Sequence, residues 1–357
     1  MKVALRQRAR QLGFDACRVT GADPPPYAPR FKAWLEAGRH GTMAYLVRTA
    51  PQRADPRILL PGARSVVTLA ASYWQAPDPP PAQPPSQLRG FVARYARYAD
   101  YHGVLVQRIE QLAAFIATLD DPAPRSMGCI DAGPVLERDL AQRAGIGFVG
   151  KHTNLVSRQL GNWFFLAEIL TTLELEPDPP QANRCGSCAR CLEACPTRAL
   201  IAPFEVDARL CIAYLTIELK GPIPVELRPA VGNRIFGCDD CLSVCPWNRF
   251  AQAGCLMRKH ARPDLAEPDL LELLRLDDSE FRCRFADTPL ARTKRRGLLR
   301  NVCVALGNIG TAVALPALEC AARDPEPLIA EHASWALTRI QQRQTPRLFT
   351  RQSDFAR

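Results

Sequence analysis

Eight of the 14 cysteines of this 357-residue chain fall between Cys185 and Cys245. The first four follow the spacing Cys-x2-Cys-x2-Cys-x3-Cys-Pro, which is typical of bacterial ferredoxins with two [4Fe–4S] clusters. They are Cys185, Cys188, Cys191 and Cys195. A second run holds Cys238, Cys241 and Cys245, and Ile235 stands where its first ligand would be. Cys211 lies between the runs and can supply the eighth thiolate, so the spacing predicts two [4Fe–4S] clusters.

The spacing also predicts how the ligands divide. In two-cluster ferredoxins the Cys before Pro binds the cluster of the other run. We therefore expect one cluster on Cys185, Cys188, Cys191 and Cys245, and the other on Cys195, Cys211, Cys238 and Cys241. Structural zinc is the alternative, because four-thiolate zinc sites also use Cys-x2-Cys pairs. Zinc sites do not require a triplet closed by Cys-Pro, so the pattern favours iron–sulfur clusters.

Composition narrows the class of protein. With 47% hydrophobic and 23% charged residues, the chain is not disordered as a whole. We expect no membrane span and no secretory signal, and therefore a cytoplasmic protein, because apolar runs are short and Met1–Phe14 is basic. The net charge of +10 favours a polyanionic partner such as nucleic acid, although an Arg-rich, Pro-rich composition alone gives the same excess.

Hydrophobic periodicity predicts an α+β fold whose last part is helical. We expect helices at Val3–Leu12 and Gly103–Leu119, and strands at Ser65–Trp74, Met127–Ile130 (buried) and Asn162–Leu173. The Pro-rich stretch 76–85 is predicted to be a surface excursion, and Pro177–Pro180 a boundary. Similar helices at Arg300–Gly310 and Glu331–Gln341, with Val313–Ala322 between them, suggest a short HEAT-like repeat. The predicted domains are residues 1–175, 176–254 and 255–345, followed by a tail, 346–357.

Several further segments carry a resemblance to one family. They are Arg53–Ser65, Ala93–Ala96, Asp100–His102, Ile130–Arg138, Gly147–Asn154, Tyr214–Gly221, Phe236–Asn248 and Thr288–Asn301. Together with the cysteine runs, they make the chain closely similar to the epoxyqueuosine reductases, which are cobalamin-dependent enzymes of queuosine synthesis in tRNA. The resemblance extends in order over nearly the whole chain.

The resemblance implies a reductive-dehalogenase-like, cobalamin-binding α/β domain, a ferredoxin-like module with two clusters and a HEAT-like helical domain. It implies the two-electron reduction of epoxyqueuosine to queuosine at the wobble position of tRNAs with GUN anticodons, by Co(I) cobalamin that the clusters reduce. A flavodoxin or ferredoxin would be the low-potential electron donor, and the protein would be a monomer.

Asp131 is the predicted proton donor for the departing epoxide oxygen. It follows an apolar strand and opens a turn, so we expect it in an apolar pocket where desolvation keeps the carboxyl protonated. The alternative is that Asp131 only caps a helix beginning at Pro134. Position alone does not separate these interpretations, and the resemblance favours the acid.

The resemblance also implies contacts to the corrin or its tail. The candidates are Arg53, Arg94, Asp131, His152, Leu155 and Asp239. Asp100-Tyr-His102 begins like the motif that supplies a histidine to cobalt, but Leu105 occupies its Gly position, so we expect base-off cobalamin without a protein imidazole ligand. For Arg53 a solvent-facing role is the alternative, and for His102 and His152 a structural one.

Two segments are predicted to bind tRNA. Seven cations fall between Arg282 and Arg300, namely Arg282, Arg284, Arg292, Lys294, Arg295, Arg296 and Arg300. Such a patch would follow phosphates, and a solvated helix face is the alternative. Thr216, Glu218, Lys220 and Gly221 match the family segment near the flipped-out wobble nucleotide.

Two other functions remain open from the sequence. A corrinoid reductase of small molecules would share the clusters and the corrin but would not need the basic helical domain. A ferredoxin-like electron carrier fused to a binding domain would need no corrin. Cobalt content separates the electron carrier from the two corrinoid enzymes. Salt-sensitive binding of an anticodon stem-loop separates the tRNA-modifying enzyme from the reductase of small molecules.

Overall fold

The computed structural model describes residues 1–75, 88–131 and 133–344. The predicted surface excursion at 76–85 and the predicted tail at 346–357 lie outside these ranges. No helix in the described ranges is long and apolar enough to cross a membrane.

A four-stranded antiparallel sheet organises the first part of the chain. Its order is Ala16–Gly21, Ser65–Ser72, Phe164–Thr171 and Ser126–Cys129. Every residue of Ser65–Ser72 is buried, as its β-branched, apolar sequence predicts. The prediction of an α/β domain is wrong in one respect, because that term implies parallel strands.

The predicted elements of this part are present with small shifts of their ends. The helices are Lys2–Gln11 and Tyr101–Ile116, and the second buries Leu105, Ile109, Leu112 and Ile116 against the sheet. Ser126–Cys129 is an edge strand, and the prediction of a buried strand is wrong, since the side chain of Met127 is 37% exposed.

The other strands and helices are short or lie in the last third. The strands are Phe91–Val92, Phe148–Val149, Leu155–Val156, Leu200–Ala202, Glu205–Val206 and Arg234–Phe236. The α-helices are Ala28–Glu36, Ala44–Arg48, Ala50–Ala54, Glu137–Arg143, Arg190–Glu193, Arg228–Val231, Asp240–Ser243, Cys255–Arg258, Leu270–Leu274, Asp278–Phe285, Lys294–Ile309, Leu315–Ala321 and Pro327–Gln344. Short 3-10 turns connect them, and Tyr214–Glu218 is a π-helical turn, a conformation that is frequent at functional sites.

The C-terminal helices form their own core around Lys294–Ile309. This helix packs on Leu315–Ala321 and Pro327–Gln344. The same core takes in Val92 and Phe236 from earlier in the chain. Leu256 and Met257, in contrast, are buried in the core of the sheet domain. Apolar side chains on either side of residue 255 thus pack into a core of the other part, and the boundary there stays a prediction.

Candidate active site and cluster module

The structure places the eight clustered cysteines in two neighbouring sets. Burial, and then the nearby thiols of Cys245 and Cys188, raises the pKa of Cys185, and Cys191 lies near Cys185 and Cys245. In the second set, burial raises the pKa of Cys238 to about 12, with Cys211 as a neighbour. Cys241 has Cys211, Cys238 and Cys195 around it, and it also lies near Cys191 of the first set.

Two short helices bring these sets together. The short helix Arg190–Glu193 carries Cys191 of the first run, the short helix Asp240–Ser243 carries Cys241 of the second, and the two helices pack together. Lys151 donates from Nζ to the carbonyls of Gly186 and Cys188, at 2.8 and 2.9 Å, and so fastens the first run to the sheet domain. The residues present fit two thiolate-bound clusters.

Asp239 lies at the inner end of this module. It stands between Cys238 and Cys241 and is buried, and its Oδ2 accepts the Arg94 backbone N–H at 2.7 Å. Burial raises the pKa of Asp239. The Arg94 guanidinium lies over the rings of Trp74 and Trp163, at 5.2 and 5.1 Å. These two rings begin an aromatic wall next to the second set of thiols.

The aromatic wall continues from Trp163 through Tyr73 and Phe165 to Tyr101, and Asp131 lies at this other end. It ends the segment after the strand Ser126–Cys129, and its φ of 42° is a conformation that costs a non-glycine residue about 1–3 kcal/mol and is concentrated at functional sites. The Tyr101 hydroxyl donates to Asp131 Oδ2. The nearest imidazole nitrogen, His102 Nε2, is 3.8 Å away from the same oxygen.

The helix Tyr101–Ile116 fixes both of these partners. Asp100 caps it by accepting the His102 backbone N–H, so Tyr101 and His102 occupy its first turn. Arg292 donates from Nη2 to His102 Nε2 at 2.7 Å, and His102 Nδ1 lies 2.7 Å from Asp100 Oδ1. Because guanidinium can only donate, this pattern assigns the His102 proton to Nδ1.

Tyr101 is held rigidly. Its ring stacks on Phe165 with centroids 4.2 Å apart and planes 11° apart. Burial, and then the Asp131 charge, raises the pKa of Tyr101 far above that of an exposed tyrosine, so it remains a hydrogen-bond donor. Burial also raises the pKa of Tyr45 to about 12, with the charges of Glu218 and Asp131 nearby. Glu218, from the π-helical turn, therefore lies at this site as well.

The protein's own atoms leave the side chain of Asp131 52% exposed, and the apolar pocket expected over the corrin stays a prediction. The capping alternative is wrong, because the following helix begins at Glu137 and Leu136 occupies the cap position. In the structure the Asp131 carboxyl accepts from the fixed Tyr101 hydroxyl, and its other side is exposed.

Sequence reasoning missed two carboxyl groups behind Asp131. Glu168, on the central strand Phe164–Thr171, is fully buried opposite Cys129. Its carboxyl lies beside that of Glu137. The Asp131 backbone N–H is directed at the Glu137 carboxylate. The signal in the sequence was a Glu within the apolar run 164–171, where a charge needs an explanation.

The predicted corrin contacts divide into two groups. Asp131, Asp239 and the indole-stacked Arg94 border the aromatic wall. Arg53, His152 and Leu155 are buried instead. Arg53 donates to Val135 O at 3.0 Å and to Thr49 Oγ1 at 3.0 Å, so the solvent-facing alternative for Arg53 is wrong and its guanidinium braces the loop after Asp131.

His152 and Leu155 have structural surroundings. His152 Nδ1 accepts the Asn154 backbone N–H at 3.2 Å, and burial lowers its pKa to about 4. Leu155 packs with Ala141 and Ile146 in a small apolar cluster. The side chain of Leu155 thus belongs to the core, and contact of this residue with the corrin or its tail stays a prediction.

The predicted tRNA residues also divide. Arg300 is 1% exposed and donates to the carbonyls of Leu215, Leu219 and Gly221 at 2.6–2.7 Å. Thr216 is fully buried and bonds Ile212 O and the Gly237 N–H. For Arg300 and Thr216 the prediction of contact with tRNA is therefore wrong, because these side chains hold the linker to the helical core.

Arg295 and Gly221 are also engaged within the protein. Arg295 is mostly buried, with an ion pair to Asp324 at 2.6 Å and a hydrogen bond to Leu276 O, so the expectation of phosphate contact by Arg295 is wrong. The Gly221 carbonyl accepts from Arg300. Lys220, Lys294 and Arg296 remain exposed, and Lys294 and Arg296 lie close enough to Lys220 to lower its pKa further, after desolvation. Arg292 is exposed but points to His102.

Comparisons with known proteins agree with this arrangement. The family described as "4Fe-4S double cluster binding domain" matches residues 184–248, and the family described as "Epoxyqueuosine reductase QueG, DUF1730" matches residues 53–131. The epoxyqueuosine reductase of Xanthomonas campestris pv. campestris is 41% identical over 93% of this chain and 94% of its own. This chain belongs to the epoxyqueuosine reductase family.

Solved epoxyqueuosine reductases share the whole architecture. One crystal structure, with an epoxyqueuosine-modified tRNA-Tyr stem loop, matches with a TM-score of 0.87 at 33% identity, over 95% of this chain and 90% of that one. The Bacillus subtilis structure, whose aspartate-bearing catalytic loop is swung out of the active site, matches with a TM-score of 0.85 at 33% identity and the same coverage. The mixed helix and sheet fold is thus that of the family.

Proposed function

We propose that this protein reduces epoxyqueuosine to queuosine in tRNA. The observation that carries the proposal is a chain of contacts from Asp239, beside the second thiol set, through Arg94 and the aromatic wall to Tyr101 and Asp131. Family membership and the solved relative with a modified stem loop support the substrate. The exposed cations beside the site favour a nucleic acid over a small molecule.

The cofactors would be two [4Fe–4S] clusters and cobalamin. The clusters would sit on the two thiol sets described above, and base-off cobalamin would lie between the second set and Asp131, bordered by Arg94 and Asp239. Trp74, the partly exposed ring that stacks on Trp163, would offer an apolar contact to a large flat ring, and the Asp239 carboxyl and Arg94 lie at its polar edge. When bound, these groups supply electrons at low potential, which amino-acid side chains do not.

Side chains of the protein would carry out the proton transfer. Removing the epoxide oxygen takes two electrons and two protons and yields an alkene and water. Asp131 delivers a proton to the departing oxygen from its open side, while the Tyr101 hydroxyl orients the carboxyl and stabilises it once it is charged. His102, fixed by Asp100 and Arg292, provides a second polar group within 3.8 Å of Asp131.

The helical domain would hold the anticodon arm. Lys220, Lys294 and Arg296 would contact phosphates, and Glu218 would face the wobble nucleotide beside Tyr45. Lys294–Ile309, Leu315–Ala321 and Pro327–Gln344 would serve as a short HEAT-like array, stabilised by docking on Val92 and Phe236. The functional parts would remain those predicted, namely corrin domain, ferredoxin-like module and helical domain.

Electrons would reach the outer thiol set. A cleft of about 710 Å³ opens beside Cys245 and is lined by Arg190, Glu193 and Arg249, among others. A flavodoxin or ferredoxin docked there would be next to the first set, whereas the second set faces Asp239. The enzyme would act as a cytoplasmic monomer.

The test is mass spectrometry of bulk tRNA from cells that lack this protein. We expect epoxyqueuosine to accumulate and queuosine to disappear, and restoration by the wild-type chain but not by Asp131→Asn. Unchanged queuosine in the deletion strain would refute the proposal.

A further inference from the structure

Glu168 and Glu137 form a buried acidic pair that the reaction above does not use. Glu168 is fully buried, and neither of its carboxyl oxygens receives a hydrogen bond from an N–H or hydroxyl donor of the described residues. The inner oxygen of Glu137, Oε1, is without a donor as well. Neither carboxyl lies within ion-pair distance of a cation in the described ranges, because the nearby Arg53 is turned to Val135 O.

A proton shared between the Glu168 and Glu137 carboxyls provides the missing hydrogen-bond donor. Two neighbouring anions without donors are very unfavourable in a buried place, whereas a protonated carboxyl can donate to the other one. Burial raises the pKa of both groups; the Asp131 charge raises that of Glu137 further, and Glu137 and Asp131 raise that of Glu168. The charged groups that face the pair are Asp131, Arg53 and Arg138, and Cys129 is the neighbouring thiol.

The two carboxyls are not equivalent. Glu137 has the Asp131 backbone N–H directed at it, and Arg138 and Arg53 favour its charged form. Glu168 has neither, so the proton belongs on Glu168 and the charge on Glu137. The charged Glu137 then holds the Asp131 backbone from behind, in the strained conformation with φ of 42°.

We propose that Glu168 is a positioning residue: its proton keeps Glu137 in place, and Glu137 holds the Asp131 loop in the active site by its backbone N–H. When the pair loses this proton, the two anions repel each other, Glu137 leaves the Asp131 N–H, and the loop is released. In a solved relative the corresponding loop has been found swung out, so such a loop needs a fastening. The inference rests on the proposed function only for the role of Asp131.

Hydrogen exchange tests the proposal without substrate. In the full chain with its clusters and cobalamin, we expect the backbone amides around Asp131 to exchange at least about tenfold faster at about pH 9 than at about pH 6, after correction for intrinsic rates. In Glu168→Gln the amide donates to Glu137 permanently, so the protection of these backbone amides should not depend on pH over this range. In Glu137→Leu the acceptor is lost, and exchange should be fast at both pH values.

The matched control is Glu174→Gln, an exposed glutamate just beyond the end of the same strand, which should behave as wild type. A second readout is the infrared difference spectrum between wild type and Glu168→Gln, which should show the loss of one protonated-carboxyl C=O component even if that variant were destabilised. A wild-type pH dependence of exchange in Glu168→Gln, protection in Glu137→Leu, or an unchanged infrared band would each overturn the proposal. None of these outcomes depends on turnover, so they are distinct from failure of the proposed function.

Discussion

At the scale of single residues, the site is defined by what surrounds Asp131. A carboxyl that is half exposed gains its orientation from Tyr101, whose ring is fixed on Phe165, and from the loop that Arg53 braces at Val135. General acids depend on such placement within hydrogen-bond reach of the reacting atom. The residue itself was visible in the sequence, but its supports come from four separate segments.

Replacing Asp131 by Asn should remove the proton donor while leaving the backbone in place. We expect turnover of an epoxyqueuosine-modified stem loop to fall by about 10²-fold or more, the usual contribution of a general acid. Iron and cobalt content and stem-loop affinity should not change. The measurement is single-turnover kinetics with metal analysis, and turnover within about twofold of wild type would exclude Asp131 as the acid.

His152 should make the fold sensitive to acid. Burial lowers its pKa from 6.5 to about 4, so the folded state disfavours the protonated ring. Above about pH 6.5 the ring is neutral in both states and the stability is at its full value. As the pH falls from about 6.5 to about 4, the unfolded state takes up the proton first, and the free energy of unfolding falls by a few kcal/mol in total. His152→Gln should flatten the dependence of Tm on pH in this window, and His260→Gln serves as the control. Equal acid sensitivity in wild type and His152→Gln would contradict the assignment.

At the scale of elements, the helix Lys294–Ile309 has two functions on two faces. Arg300 and Asn301 point inward and bond the linker carbonyls, including Leu215, Thr216 and Ile235. Lys294 and Arg296, near its beginning, point outward beside Lys220. A count of charges along the sequence cannot separate these faces, which explains why Arg300 was assigned wrongly to the tRNA surface.

The two faces predict opposite phenotypes. Arg300→Met leaves three buried carbonyls without a donor and should lower the free energy of unfolding by about 3 kcal/mol or more. Lys294→Ala and Arg296→Ala should leave the stability within about 0.5 kcal/mol of wild type. Each should reduce the slope of log affinity for the stem loop against log salt by about 1. Denaturant unfolding and salt-dependent binding measure both, and a salt slope unchanged in the double variant would remove these cations from the tRNA surface.

At the scale of the whole molecule, the two thiol sets join the parts of the chain. Lys151 ties the first run to the sheet domain, and the linker that carries Cys211 is held by Arg300 of the helical domain. The segment from Cys211 to Gly221 therefore contacts both the second set and the predicted wobble-base site. Loss of a cluster should therefore affect substrate binding as well as electron transfer.

Cys211→Ser tests the division of ligands. We expect the variant to lose the second cluster, so that iron per chain falls to about half, while the first set keeps its cluster. Cys303→Ser, at a buried cysteine in the helical core, is the control and should keep all the iron. Anaerobic iron analysis with electron paramagnetic resonance decides the matter, and full iron content in Cys211→Ser would refute the division.

The sequence by itself determined the two thiol runs, the main helices and strands of the sheet domain, and Asp131, because these depend on local spacing and periodicity. It could not show that Arg300 and Thr216 are inside, that Leu256 belongs to the sheet core, or that Glu137 and Glu168 meet behind Asp131. Those facts depend on which faces of distant segments pack together, since a buried charge is satisfied by partners that lie far away in the chain. Only the tertiary structure decided them.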